Sequence, residues 1–171
     1  MSILDIVRYP DHRLRKKSGR ISKVDNKIRK LLDDMVETMY EAPGVGLAAP
    51  QVGHNIRAVV VDVSSEQEET SNLMHLINPE IIHYEGEQVF EEGCLSVPGF
   101  FANVKRKDAI EIKALDSEGK EINLKASGLL SRVLQHEIDH LDGILFFDRL
   151  SRLKKELFKK KIEKVFDKQN R

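Results

Sequence analysis

"LLSRVLQHEIDHLDGILFFD", residues 129 to 148, carries two histidines four positions apart, with a glutamate directly after the first. An α-helix brings positions i and i+4 onto one face, so His136 and His140 project side by side, one turn apart. The spacing is the H-E-x-x-H pattern of metal hydrolases, in which the histidines bind a metal and the glutamate serves as general base. Catalytic sites of this kind use three protein ligands and keep one position open. The longer metalloprotease pattern places a third histidine after Gly143, where this chain has Phe146. The third ligand has to come from elsewhere.

The helix itself has two faces. Leu130, Leu134, Ile138 and Leu141 form a core stripe, while Leu129, Val133, His136 and His140 share the other face. Two apolar residues above two histidines are the pattern of an apolar pocket opening onto a metal. Ser127-Gly128 opens the helix and Gly143 closes it.

Candidates for the third ligand are His12, His54, His75, His83, Cys94 or a downstream carboxylate. Cys94 stands out within "EEGCLSVPG", because Gly93 allows close approach to the backbone and Pro98-Gly99 fixes the exit. A thiolate also suits a late first-row metal. Against this, a lone cysteine is most often a small buried hydrophobe.

A third stretch, "GVGLAAPQVG" (44–53), superficially matches a dinucleotide fingerprint at Gly44, Gly46 and Ala49. That fingerprint follows a strand and opens a helix. This one follows a helix and meets Pro50, so a nucleotide loop is rejected. As a glycine-rich loop beside a reaction centre it makes better sense: Gly46 permits close backbone approach, and Gln51 offers N–H donors to a developing oxyanion. A plain tight turn is the alternative.

The remaining elements follow from periodicity. "VDNKIRKLLDDMVETMYEAPG" spaces its apolar residues as a helix, N-capped by Asp25 and ended by Pro43-Gly44. "IRAVVVDV" (56–63) and "LMHLINPEIIHY" (73–84) read as strands around the acidic loop "SSEQEETSN", and "QVFEEGCLSVPG" as extended up to Pro98. "DAIEIKALDSEGKEINLKA" is a hairpin about "DSEG". At the end, residues 148–171 read as a basic helix whose apolar stripe is Leu150, Leu153, Leu157, Ile162, Val165 and Phe166. The sum is an α+β fold: a helix, largely antiparallel strands, the metal-ligand helix and the basic helix.

Composition sets bounds on this. At 171 residues, 40% hydrophobic and 33% charged, the chain suits one globular domain, residues 1–171. Its net charge is zero but uneven: residues 151–171 hold nine Lys/Arg against three Asp/Glu, so that end is +6 and the rest −6. A basic end on an acidic body suits a polyanionic partner, or simply a solvated helix. "MSILDIVRYPDHRLRKKS" has no signal-peptide pattern, and no stretch suits a membrane span. With one cysteine there is no internal disulfide, and a reducing cytoplasm is expected.

Taken together, "GVGLAAPQ" (44–51), "EGCLS" (92–96) and "QHEIDHLDG" (135–143) resemble the three motifs of peptide deformylases, in that family's order. The opening "YPDHRLRKKS" and the closing lysine-rich helix also look familial. The resemblance implies that Cys94, His136 and His140 bind one divalent metal, Fe²⁺ by preference with Zn²⁺ or Ni²⁺ as substitutes, and that water takes the fourth position. It implies Glu137 as general base and acid, and the Gln51 amide with the Leu95 N–H as oxyanion hole. Val45, Gly46, Gly93, Leu129 and Val133 would bind substrate, the apolar ones lining a methionine pocket, and Glu92–Arg106 would be a supporting ion pair. The implied reaction releases formate from the N-formylmethionine of nascent polypeptides in the bacterial cytoplasm. The basic helix would meet the ribosome, with no membrane or DNA partner. A zinc endopeptidase, a Cys–His nucleophilic hydrolase and a structural metal module are the rival readings.

Overall fold

The four-residue run Ala58–Val61 is apolar without alternation because both of its faces are covered. It forms strand β2, whose Val59 and Val61 face one packed layer and whose Ala58 and Val60 face another. On the second side lies helix α1 (Asn26–Glu41), which buries Leu32, Met35 and Met39. Asp25 caps α1, its carboxylate accepting the Ile28 N–H at 3.0 Å. On the first side lies α2 (Gly128–Leu141), the H-E-x-x-H helix, which buries Leu134, Ile138 and Leu141 against the sheet. The computed structural model describes residues 2–64 and 72–170. Residues 65–71, most of the expected acidic loop, lie outside the described residues.

The sheet between the helices has the order β1–β2–β3–β6–β7, all antiparallel: β1 Gly46–Ala48, β3 Met74–Glu85, β6 Ala109–Leu115 and β7 Glu121–Ser127. β6 and β7 form the expected hairpin. β3 keeps Pro79 because its register with β6 shifts between Ile77 and Glu80. There Asn78, at φ 51°, clasps the Ile21 backbone through both ends of its amide, at 2.8 and 2.9 Å.

Three expectations need correction. First, 44–53 is not a plain loop: β1 pairs with β2, and a 3-10 turn, Ala49–Val52, follows. A three-residue strand is too short for periodicity to reveal. Second, the extended stretch ending at Pro98 is a separate antiparallel hairpin of β4 (Gln88–Cys94) and β5 (Val97–Arg106), turning at Leu95-Ser96. Pro98 is tolerated because β5 has a partner on one side only.

Third, the last helix, α3, runs Arg152–Gln169 rather than from 148, and a 3-10 turn Phe146–Arg149 precedes it. The Ser151 side chain accepts the Lys154 N–H and sets the start. The anticipated stripe is mostly exposed: Leu153 by 71% and Leu157 by 52%, with Val165 and Phe166 also open. Of that stripe Ile162 is buried and Leu150 packs beside it, and α3 docks through Ile162 together with Phe158, which the stripe did not include. Phe158 stacks on Phe147 (centroids 5.1 Å) and meets Phe146 and Phe100 edge-on, and this aromatic cluster fixes the helix rotation.

Candidate metal centre and cleft

α2 and the β4–β5 hairpin are separate in sequence and come together at one point. A cleft of about 680 Å³ runs between β1, the hairpin and α2. At its base the ligand atoms of Cys94, His136 and His140 lie within 4.8 Å of one another. Cys94 ends β4, just after a register shift at Gly93 that turns the strand. A Cβ on Gly93 would sit 2.6 Å from the Phe101 ring, so any side chain there would have to push that exposed ring aside. His12, His54, His75 and His83 are absent from this cluster and do not line the cleft. Phe146, at the position of a metalloprotease's third histidine, stacks on His136 instead, centroids 6.2 Å apart.

The donor set fits a divalent transition metal. Cys94 Sγ lies 3.3 Å from His140 Nε2, while His136 Nδ1 is held at 3.0 Å by Glu92 Oε1, leaving its Nε2 for the cluster. Burial opposes a proton on His136, but the Cys94 sulfur and the Glu92 carboxylate prevail and push its pKa up to about 10. Burial, together with the His136 charge, holds His140 well below its ordinary value, as a neutral imidazole with a lone pair to give. Three converging soft and borderline donors match such an ion, while a closed structural site would want four.

Glu137 is buried beside this cluster, and its Oε2 has no hydrogen-bond partner among the described residues. Burial, outweighing the pull of His136 and Arg106, pushes its carboxyl up to about 7, the range suited to moving protons at neutral pH. A Cβ on Gly46 would meet Glu137 Oε1 at 2.7 Å. Gly46 thus makes room for the carboxylate as well as for anything docking on β1.

Gln51 is buried, and its amide has one orientation. Its Oε1 accepts the Ala48 N–H at 3.0 Å, which turns Nε2 toward Ser96 Oγ at 3.1 Å and Cys94 Sγ at 3.5 Å. Of the two Nε2 hydrogens, Ser96 Oγ takes one and the other points at Cys94 Sγ, so the amide sits at the edge of the donor cluster. Leu95 lines the same cleft, as do Val45, Gly93, Leu129 and Val133. Val45 and Leu129 are about half exposed, giving an apolar wall open to an incoming side chain.

Sequence reasoning named the Glu92–Arg106 pair but missed what surrounds it. Arg106 forks onto Glu92 at 2.7 and 2.9 Å and also reaches Asp139 at 2.9 Å, and Asp139 in turn holds Arg149 at 2.6 and 3.0 Å. Asp139 lies inside the H-E-x-x-H motif, which is the signal that could have drawn attention to it. Also unforeseen were Gln135, which ties α2 to both backbone groups of Lys107, and Arg132, which lines the cleft and whose guanidinium lies 4.4 Å over the Phe90 ring.

A family model described as polypeptide deformylase matches residues 3–156. The peptide deformylase of Thermodesulfovibrio yellowstonii is 56% identical over 163 residues, 95% of this chain and 98% of that protein. That of Syntrophobacter fumaroxidans is 50% identical over 164 residues, 96% of each. Among solved structures, a peptide deformylase from Ehrlichia chaffeensis in complex with actinonin matches at a TM-score of 0.90, with 44% identity over all of both chains. One from Legionella pneumophila matches at 0.88, with 44% identity over 99% of each.

Proposed function

The chain belongs to the polypeptide deformylase family and is a metal-dependent amide hydrolase that removes the N-formyl group from formylmethionyl peptides; from that premise we propose which residues perform the reaction. In this reading residues 1–171 act as one catalytic domain, with Cys94, His136 and His140 holding a single ion. Such an ion supplies Lewis acidity, lowering the pKa of a water from ~15.7 toward 7. The peptide lies as an added strand between the free edges of β1 and β4, both of which border the cleft. Its methionine side chain enters the apolar wall of Val45, Leu129 and Val133. Gln51 Nε2 and the Leu95 N–H then face the formyl oxygen, and a donor of this kind is typically worth ~2.7–4 kcal/mol to the transition state. Glu137 Oε2 takes a proton from the attacking water and returns it to the departing amine nitrogen, so formate and a free amino terminus result.

The observation that carries this reading is the buried, unpartnered Glu137 oxygen beside three converging metal donors. The test is formate release from a formyl-Met peptide before chelation, after it, and after Ni²⁺ is restored. Turnover that survives complete metal removal would instead point to Cys94 as a nucleophile. For the native ion we propose Fe²⁺, which together with a thiolate ligand predicts inactivation by peroxide and protection by Ni²⁺ substitution. An iron form that keeps full activity through prolonged aerobic handling would count against it.

The site of action we infer is the bacterial cytoplasm, at the ribosome, reached through the basic face of α3. Lys160, Lys161 and Lys164 are exposed there, whereas Lys155 is engaged with Asp148 at 3.1 Å. Phosphate contacts weaken steeply with salt. Replacing those three exposed lysines by glutamate should abolish ribosome co-sedimentation at low salt and leave short-peptide turnover unchanged. Equal sedimentation of mutant and wild type would leave α3 a merely solvated helix.

A further inference from the structure

The 3-10 turn Phe146–Arg149 grips His136 in two ways. Phe146 stacks on the imidazole at an interplanar angle of 21°. Arg149 reaches the same ring through an unbroken series of charge-assisted contacts: Arg149 to Asp139 (2.6 and 3.0 Å), Asp139 to Arg106 (2.9 Å), Arg106 to Glu92 (2.7 and 2.9 Å), and Glu92 to His136 Nδ1 (3.0 Å). The middle of the series is dry, with side-chain exposures of 10% for Asp139, 2% for Arg106 and 6% for Glu92, while Arg149 is 45% exposed.

Charge balance makes the outer end matter. Two carboxylates face two guanidiniums, and only one of those guanidiniums is fully buried. Without Arg149, Asp139 Oδ1 loses its donor, and Arg106 alone must serve both carboxylates. Arg106 is then drawn toward Asp139, and its fork on Glu92 loosens. Glu92 Oε1 accepts from both Arg106 Nη2 and His136 Nδ1. A displaced Glu92 leaves the imidazole without a fixed tilt.

We propose that Arg149 is a positioning residue for His136, acting through Asp139, Arg106 and Glu92 to hold the imidazole in its metal-binding orientation. Arg149 touches neither the cleft nor the reacting atoms. The assignment rests on the Cys94–His136–His140 ligand set proposed above. Direct outer-shell partners of a ligating histidine typically change metal affinity about 10–100-fold, so a residue further removed should give about 3–10-fold.

The experiment is the Ni²⁺ dissociation constant of the full-length protein, measured against a competing chelator. Arg149→Met should weaken Ni²⁺ binding by about 3–10-fold, and Arg149→Lys, which keeps the charge but not the fork, should recover part of that loss. Lys155→Met breaks a neighbouring ion pair on Asp148 without touching Asp139, so it should leave the constant unchanged. Wild-type affinity in Arg149→Met, or an equal loss in Lys155→Met, overturns the proposal. One Ni²⁺ per wild-type chain, lost in Cys94→Ser, checks the ligand set separately. If the wild type binds none, that set falls and the role of Arg149 with it.

Discussion

A single added methyl group separates two of the site's requirements. Gly46→Ala would place a carbon 2.7 Å from Glu137 Oε1, so the carboxylate must move or β1 must. The expected result is a fall in kcat of at least tenfold with metal still bound, seen by steady-state kinetics beside metal analysis; unchanged kcat would mean the carboxylate has room to spare. Glu137→Gln keeps the shape and removes the carboxylate proposed to accept the proton. It should retain stoichiometric metal and lose about 10²–10⁴-fold in turnover, and near-normal turnover would move proton transfer to another group. These residues were legible in the sequence because the chemistry fixes residue type and spacing. H-E-x-x-H commits three side chains to one helix face, and a lone cysteine after a glycine is easy to notice. Asp139 and Arg149 were not legible, since an ion pair between residues ten apart leaves no pattern until a fold brings them together.

Element boundaries and orientations depend on what packs against them. α1, α2 and the β6–β7 hairpin were readable because their own apolar periodicity decides their burial. The rotation of α3 was not, because Phe146, Phe147 and Phe100 wait on other segments and outcompete the leucine stripe. This difference can be measured by chemical denaturation. Phe158→Ala should cost about 3–5 kcal/mol, as for a buried aromatic, while Leu153→Ala and Leu157→Ala should stay within about 0.5 kcal/mol. A large loss from either leucine would mean that α3 rotates in solution to bury its other face. The β4–β5 hairpin escaped the sequence for a different reason: Gly93, Pro98 and Gly99 look like the end of a strand, and a two-residue turn at Leu95-Ser96 carries no strong turn residue.

At the scale of the whole molecule, Asp148 fastens the start of the chain to its last helix. It pairs with Arg15 near the start of the chain and with Lys155 on α3, and it accepts the Leu145 N–H at 2.8 Å. Burial raises its pKa, but Arg15, the Leu145 N–H and Lys155 together outweigh that and hold it below the usual carboxylate range. A depressed folded-state pKa means stability that is present above the unfolded value of about 3.9 and lost as pH falls through the folded value. Asp148→Asn should therefore destabilise by about 1.5–3 kcal/mol at pH 7, as for hydrogen bonds to a charged group. The gap to wild type should narrow below pH 4 in urea titrations. A gap constant from pH 3 to 7 would show that charge at Asp148 does not matter.

The hairpin shares no strand pairing with the five-stranded sheet, yet it supplies Cys94, while the helix packed on that sheet supplies His136 and His140. An ion held by all three would bridge two bodies that otherwise meet only through side chains and loops. Amide hydrogen exchange should register this directly. Chelation should speed exchange across Gln88–Arg106, where local opening becomes cheaper, and leave the slow amides of β2 and β3 where they were. The hairpin's protection factors then become a gauge of site occupancy that needs no substrate.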